Sequence, residues 1–478
     1  MEFETNGLSR EEIRKRRRKK ERTQAIAILA GVILVILILI GTAVFALVKI
    51  FAGKETEPKP TTVDAVATES LHEEPVESAD AGMDETEEQI SDETGEETSG
   101  EEDGTETDTV AADDEQEEQG IFDEEQDAQL EELVNRKISS MTLEEKVAGL
   151  FFVTPAQILG IESDVTAVGG EFGEKLAAYP VGGIVLDESN MTGEEENDFS
   201  TLVANVKNYV PADTFIGIEE SGGEESPFVV SGLTENVISS QKEIGETLGI
   251  SGAYSAGISI GSELHQYGIN VNFSPNVDVS AMEGSVAEKE GFGTDAETTS
   301  ELGKNMVKGL SDQGIYVAVG HFPGYSDVTQ DGDDGQVISD RTKEDLQKEY
   351  APYIEAIDAG ADFVMISHVS LPKIRGDKRP ASLSKEVITD IVRTEWGYDG
   401  IVITDFMNRS CMYKKYTYAE AAVGAIEAGA DMILAPKNFL KSYNGILDAV
   451  NKGTITQERI DESLRRIYRV KLANQVEE

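Results

Sequence analysis

The chain has 478 residues, a single cysteine and a formal net charge of −51 at pH 7. Its length allows one barrel-sized domain with additional segments, and the lone Cys411 excludes an intramolecular disulfide framework and zinc sites built from several cysteines. Because phosphate binding requires clustered Lys and Arg, the acidity also argues against a nucleic-acid partner.

The first predicted element is a membrane anchor. A basic cluster at Arg14–Arg22, RKRRRKKER, precedes an apolar run from Ala25 to Val48. Roughly 20 apolar residues span a hydrocarbon core, whereas a signal peptide has a shorter apolar region and a small-residue cleavage site. We predict a cytoplasmic tail at 1–24 and a single transmembrane helix at 25–50. The basic flank then places the rest of the chain outside the cell membrane.

Residues 51–126 form the next predicted segment, in which Glu, Asp, Thr, Ser and Gly dominate. Such a composition cannot bury enough apolar surface to offset chain entropy, so we predict a disordered acidic linker. Repulsion between like charges extends it into a tether. A specific acidic binding tail is the alternative interpretation.

The folded domain is predicted at 127–478. It opens with a capping box, Thr142 with Glu145, before an apolar helix. Short apolar runs then recur between amphipathic stretches: GLFFV (149–153), GGIVL (182–186), TFIGI (214–218), INVNF (269–273), YVAVG (316–320), DFVMI (362–366), GIVIT (400–404) and DMILA (431–435). Unalternating apolar runs are typical of parallel strands buried on both faces.

Eight such runs separated by helical patterns predict an α/β fold, a (β/α)8 TIM barrel. A doubly wound open sheet is the alternative, although no Gly-rich phosphate fingerprint follows the first strand. TIM barrels carry function at the C-terminal strand ends. Polar residues follow those ends at Asp187, Glu188, Glu219, Glu220, Asn272, Asp278, His321, His368, Asp405 and Lys437. The competing interpretation is that any barrel has polar loops at both ends.

Four stretches of the predicted barrel are MTLEEKVAGLF, VGGIVLDESN, GINVNFSPNVDV and PASLSKEVITDIVRTEWGYDGIVITDFM. Together they resemble glycoside hydrolase family 3, in its single-domain β-N-acetylglucosaminidase (β-N-acetylhexosaminidase) branch. The resemblance implies hydrolysis of terminal β-linked N-acetylglucosamine with retention, through a covalent glycosyl-enzyme. Retention requires a carboxylate nucleophile and a second group that acts first as acid and then as base. By resemblance the nucleophile is Asp405, with a helix-capping role as the alternative.

The sequence departs from the family pattern at several of its functional positions. The family loop K-H-F-P-G-H-G-D-T-x-x-D-S-H appears as GHFPGYSDVTQDGD, so Gly320, Tyr325 and Asp333 replace its Lys, its second His and its acid/base His. His321 and Asp331 keep the first His and the Asp of the acid/base dyad.

Two further motifs depart in the same way. The family's D-Q-E-G-G-R appears as EESGGE, which puts Glu219 and Glu224 at its sugar-contacting Asp and Arg, and Glu290 replaces the Arg of R-S-F-G. His368 matches a family position near the sugar. The candidate catalytic residues are therefore Asp405, Asp331 and Asp333, and the candidate substrate-binding residues are Glu219, Glu224, Glu290, His321, Tyr325 and His368.

These replacements predict an acidic barrel mouth, because three cations are lost. Ionised carboxylates only accept hydrogen bonds, so they cannot replace the donors that Arg and Lys offer to a sugar. Crowded carboxylates also raise one another's pKa, which would suit Asp331 or Asp333 as an acid. The DGDDG stretch echoes a calcium loop without meeting its spacing, so we predict no metal and no cofactor.

Two functional hypotheses follow. One is a membrane-anchored, outward-facing glycosidase that acts on cell-wall glycans in peptidoglycan turnover. The other is a catalytically impaired homologue that binds a β-linked N-acetylglucosamine-containing glycan or a protein at the cell surface. Nothing in the sequence identifies a protein partner.

Overall fold

Eight short parallel strands follow the apolar runs of the sequence in chain order. The computed structural model describes residues 125–191, 196–333 and 335–476. The strands are β1 Phe151–Val153, β2 Gly183–Val185, β3 Phe215–Ile218, β4 Val271–Asn272, β5 Tyr316–Phe322, β6 Phe363–Ile366, β7 Ile401–Thr404 and β8 Ile433–Leu434. Every strand residue except Tyr316 is buried. Burial on both faces explains why each run is apolar without alternation.

The strands form one parallel sheet that is almost closed into a barrel. Their order is β7-β6-β5-β4-β3-β2-β1-β8. β1 pairs with both β2 and β8, so that Phe152 lies opposite Gly183 on one side and Leu434 on the other. A parallel bridge between Ile403 and Met432 brings β7 next to the start of β8. The predicted α/β fold is confirmed as a TIM-like near-barrel of eight parallel strands.

Helices connect the strands and surround the sheet. Besides the helix at 125–139, the α-helices are Leu143–Ala148, Pro155–Leu159, Gly170–Ala178, Glu196–Tyr209, Pro227–Val230, Gln241–Glu243, Gly249–Tyr267, Val286–Glu290, Ala296–Asp312, Lys343–Gln347, Tyr350–Asp358, Pro372–Arg375, Ser410–Tyr413, Tyr418–Ala428, Phe439–Asn451 and Gln457–Leu472. Two π-helices lie at Ile244–Leu248 and Glu386–Glu395, and short 3-10 turns lie at Glu188–Asn190, Ala381–Leu383 and Ala473–Gln475. The capping box predicted at Thr142 and Glu145 is present.

The N-terminal predictions fall largely outside the described residues. The tail at 1–24, the membrane helix at 25–50 and the acidic linker up to residue 124 lie there, while residues 125 and 126 belong to the first described helix. Within the described ranges, no helix combines the length and the apolar character needed to cross a bilayer.

Aromatic rings fill the interior of the near-barrel. Phe152 stacks on Phe215 with centroids 5.9 Å apart and meets Phe273 edge-on at 5.2 Å. A Cβ on Gly183 would lie 2.3 Å from the Phe152 ring, so this position requires glycine. At the N-terminal end of the strands, the Lys471 ammonium lies 4.5 Å from the Phe215 ring centroid and donates to the Gly182 carbonyl at 2.8 Å. The interior of the near-barrel is therefore a packed core and not a pore, and the place to look for a site is the C-terminal ends of its strands.

Asp431 stabilises the junction between β7 and β8. Its fully buried carboxylate accepts from the Val402 amide at 3.0 Å and from the Ser463 hydroxyl at 2.9 Å. Arg393 forms an ion pair with one oxygen, and Arg466 lies 3.0 Å from the other. Burial alone would raise the pKa of Asp431, but these arginines and the bonds to its oxygens lower it. The junction thus depends on a buried carboxylate whose charge is matched by surrounding arginines.

Candidate functional site

Asp405 lies directly after β7, at the C-terminal mouth of the near-barrel, and its side chain is 0% exposed. Its Oδ1 accepts from the Phe406 amide at 2.6 Å, and its Oδ2 accepts from the Tyr325 hydroxyl at 2.9 Å. Burial alone would raise the pKa of this carboxyl, but the Arg409 charge and the surrounding donors hold it below its ordinary value. Asp405 is therefore an ionised carboxylate with both oxygens bonded inside the chain.

Arg409 places a cation beside Asp405. Its Nε lies 3.4 Å from Asp405 Oδ1, and its Nη1 lies 3.4 Å from Asp331 Oδ2 and 3.0 Å from Asp333 Oδ2. The contact with Asp405, together with other acids nearby, outweighs burial and raises the pKa of Arg409. One guanidinium therefore connects the candidate nucleophile to both candidate acid/base residues.

Further contacts attach the loop that carries Asp331 and Asp333 to the segment after β7. The Ser410 hydroxyl donates to the Asp333 carbonyl at 2.7 Å, and the Cys411 amide donates to the Gly332 carbonyl at 2.9 Å. Within the loop, Asp331 Oδ1 accepts from the Asp333 amide at 2.9 Å. The loop thus packs against the chain immediately after the candidate nucleophile.

His321 lies in β5 at the centre of the mouth and is almost fully buried. Its Nε2 is 4.0 Å from Glu219 Oε1 and its Nδ1 is 3.9 Å from Asp278 Oδ2. Burial alone would lower the pKa of His321, but Asp278, Asp405, Glu219 and Glu290 raise it. The acids around His321 therefore favour its protonated form.

Asp278 holds the backbone at the end of β5 and in the loop that follows it. Its fully buried carboxylate accepts from the His321 amide at 2.7 Å and the Tyr325 amide at 2.9 Å, and the Tyr353 hydroxyl donates to it at 2.5 Å. This acid orients the two aromatic side chains that face Asp405. Its role is to position them, since it is fully buried and bonds to the backbone of both residues.

The three glutamates predicted to contact the sugar occupy the rim. Glu219 is 40% exposed, and Glu224 and Glu290 are exposed. Desolvation raises the pKa of Glu219 and of Glu290; His321 and Arg409 oppose both rises. Glu224 lies farther along the loop after β3, next to the equally exposed Glu225. The structure brings Glu219 and Glu290 close to His321 and leaves Glu224 at the surface.

His368 is engaged by the protein on both ring nitrogens. Nε2 lies 3.1 Å from the Phe406 carbonyl, and Nδ1 lies 2.8 Å from the Ser382 hydroxyl. Because a carbonyl only accepts, Nε2 carries the proton and Nδ1 accepts from Ser382. Burial lowers the pKa of His368, which favours this neutral form. In this structure the ring supports the turn that carries Asp405, rather than presenting a nitrogen to a ligand.

Glu220, beside Glu219, is buried and points away from the mouth. Its Oε1 accepts from the Gly222 amide at 2.7 Å and its Oε2 accepts from the Ser226 hydroxyl at 2.6 Å. Burial raises the pKa of Glu220 to about 7, although these two bonds oppose the rise. The family pattern has Gln at this position, and a Gln side chain has the shape of Glu without its charge.

Sequence reasoning missed Arg409, the residue that organises the site. The expectation that the mouth has lost its cations is therefore incomplete, because Arg409 supplies one from outside the family motifs. It lies four residues after Asp405, in a non-helical turn that precedes the helix at Ser410–Tyr413. No local pattern in the sequence signals its role, because its contacts with Asp331 and Asp333 join segments far apart in the chain.

Comparison with known proteins supports the architecture. The family model described as the glycosyl hydrolase family 3 N-terminal domain matches residues 142–470. A relative, beta-hexosaminidase A of Pseudoalteromonas piscicida, is 27% identical over 337 residues, which cover 64% of this chain and 56% of that protein.

Two solved structures are also similar. The glycoside hydrolase family 3 beta-N-acetylglucosaminidase from Paenibacillus sp. str. FPU-7 is 32% identical with a TM-score of 0.64, covering 71% of this chain and 64% of that one. The beta-N-acetylhexosaminidase from Beutenbergia cavernae is 24% identical with a TM-score of 0.59, covering 70% and 99%, and supports the fold alone.

The matched region spans less than two thirds of the Pseudoalteromonas and Paenibacillus proteins. The family model nevertheless covers most of the chain and extends over all the described strands. The chain belongs to glycoside hydrolase family 3 and resembles its β-hexosaminidases.

Proposed function

We propose that this chain is a catalytically impaired member of glycoside hydrolase family 3 that binds glycan at the cell surface. The observation that carries this proposal is the burial of Asp405. Its two carboxylate oxygens accept hydrogen bonds from Tyr325, Phe406 and Arg409. A nucleophile needs an oxygen free to approach the anomeric carbon at about 3–3.5 Å. Asp405 is 0% exposed, so a sugar can reach either oxygen only if the surrounding chain moves.

The acid/base side of the site supports the same proposal. Asp331 and Asp333 contact the Arg409 guanidinium, and Asp333 stands where the family has a histidine. General acid–base help contributes roughly 10² to 10⁴ in rate, so an enzyme without it is slow. The Asp333 side chain is shorter than a histidine, and its pairing with Arg409 holds its carboxylate away from a glycosidic oxygen.

The proposed location outside the cell follows from the sequence. The basic cluster at Arg14–Arg22 and the apolar run from Ala25 to Val48 fit a single anchor with a cytoplasmic N-terminus. The acidic segment after it would hold the barrel away from the membrane, within reach of cell-wall glycans. A protein partner at the same surface is the competing role.

A slow hydrolase is the second candidate, and the retained ionised Asp405 favours it. In that reaction an Asp405 oxygen bonds to the anomeric carbon while the glycosidic C–O bond breaks, and protonated Asp331 or Asp333 gives its proton to the leaving oxygen. The resulting carboxylate then takes a proton from water. The water oxygen attacks the anomeric carbon and releases Asp405.

Binding and turnover measured together distinguish these candidates. Full-length protein in detergent is titrated with a β-1,4-linked N-acetylglucosamine tetramer by calorimetry, and the mixture is examined for shorter products. The proposal expects binding without release of N-acetylglucosamine. The surface variant Asp448→Asn, whose side chain is 71% exposed, serves as the control and should give the same result as wild type. Absence of binding would favour the protein-partner role, and product formation at about 1–10³ per second would establish a hydrolase.

Restoring the family residues tests whether the losses cause the impairment. The combined variant Gly320→Lys, Asp333→His, Glu224→Arg and Glu290→Arg should raise hydrolysis at least about tenfold, since it returns the donors and the imidazole acid/base. A Cβ on Gly320 would lie 3.5 Å from Met365 Cβ, an ordinary contact, so the first change is sterically acceptable. Unchanged turnover in a folded variant would show that the impairment has another cause.

A further inference from the structure

Arg409 occupies the space between the two halves of the candidate site. Its guanidinium contacts Asp405 from one side and Asp331 and Asp333 from the other. The Arg409 side chain is only 18% exposed, although Asp333 is 65% exposed. Fully exposed ion pairs contribute little, but a half-buried cation shared by several carboxylates is screened less by solvent.

The chain around Arg409 reinforces this contact. Ser410 and Cys411 each hydrogen bond to a carbonyl of the loop, at Asp333 and Gly332. A Cβ on Gly332 would lie 2.9 Å from both the Arg409 side chain and the Cys411 sulfur. The loop therefore approaches the segment after β7 so closely that only glycine fits at this point.

We propose that Arg409 is a positioning residue that acts as an internal occupant of the sugar site, holding residues 331–333 closed over Asp405. The inference rests on the proposed function, because it explains how the impaired site is closed. A glycan that reaches Asp405 must first displace this guanidinium. Loss of the Arg409 charge should release the loop while leaving the near-barrel intact.

Cys411 provides a native reporter of this closure. It is the single cysteine of the chain, and it is buried beneath Gly332. Burial raises the pKa of the Cys411 thiol to about 12, so the closed state contains little reactive thiolate. Alkylation of Cys411 therefore requires local opening, and its rate follows the population of the open loop.

The test is the rate of iodoacetamide labelling of full-length protein at pH 8, followed by mass spectrometry of the Cys411 peptide. Arg409→Gln should label roughly ten times faster than wild type. The matched control Arg136→Gln removes an exposed arginine on the helix at 125–139 and should label at the wild-type rate. Equal rates in wild type and Arg409→Gln would overturn the proposal.

A second variant separates loop release from unfolding. Asp331→Asn with Asp333→Asn removes the other half of the contact and should also accelerate labelling, at a temperature well below the thermal transition of each variant. Acceleration that appears only in parallel with global unfolding, measured by circular dichroism, would overturn the proposal. These outcomes are independent of turnover, since a wild type with ordinary glycosidase rates would refute the proposed function whatever the labelling shows.

Discussion

Replacing Glu220 with glutamine should stabilise the protein above neutral pH. The carboxyl is 1% exposed, and burial raises its pKa from 4.5 to about 7. The folded state therefore binds this proton more tightly than the unfolded state. The stabilisation from the bound proton is complete below pH 4.5 and is lost as the pH rises through about 7.

The size of the effect follows from the shift. Since one pKa unit corresponds to about 1.4 kcal/mol, ionising Glu220 in the folded state costs roughly 3 kcal/mol at pH 8. Glutamine avoids this cost, and it can keep both contacts by accepting from the Gly222 amide and donating to the Ser226 hydroxyl oxygen. We expect Glu220→Gln to raise the free energy of unfolding at pH 8 by about 2–3 kcal/mol.

Urea unfolding at pH 4.5 and pH 8 measures this difference. Wild type should lose stability between the two pH values by more than Glu220→Gln does. The matched control Glu225→Gln, on an exposed residue of the same loop, should behave as wild type. A Glu220→Gln protein that is less stable than wild type at pH 8, or equally dependent on pH, would refute the reasoning.

Three further outcomes are expected. Tyr325→Phe removes the donor to the buried Asp405 carboxylate and should lower the free energy of unfolding by about 1–3 kcal/mol in urea, whereas an unchanged midpoint would show that this bond contributes nothing. Asp431→Asn leaves the half-buried Arg393 and Arg466 without their counter-charge and should cost about 3–5 kcal/mol by the same assay, whereas a loss below about 1 kcal/mol would contradict this. Protease added to intact cells should release a soluble fragment beginning within residues 55–126; protection until lysis would contradict the outside placement.

The sequence predicts the fold well because a strand buried on both faces is apolar at nearly every position. This pattern can be seen within a few consecutive residues. Each apolar run coincides with a strand for at least part of its length, as when GLFFV at 149–153 contains β1 and DMILA at 431–435 contains β8. The exact ends are set by pairing, which the sequence does not record. Thus β8 is trimmed to Ile433–Leu434, while β5 extends to Phe322.

The site was predicted less completely, because its contacts join distant segments. Asp405, His321 and the acid loop were identified by their positions at strand ends or by family motifs. The partners that decide their state, Arg409 for Asp405 and Ser382 for His368, depend on folded geometry. The catalytic and binding roles assigned to these residues stay predictions until activity and binding are measured.

The most direct measurement is the turnover of a chromogenic β-N-acetylglucosaminide by full-length wild-type protein at pH 7, with Asp405→Asn as the blank. Closure of Asp405 by Tyr325 and Arg409, together with the missing acid/base histidine, predicts a rate at least about 10² below the ordinary range of 1–10³ per second. A wild-type rate within the ordinary range at pH 7 that Asp405→Asn abolishes would contradict an impaired site.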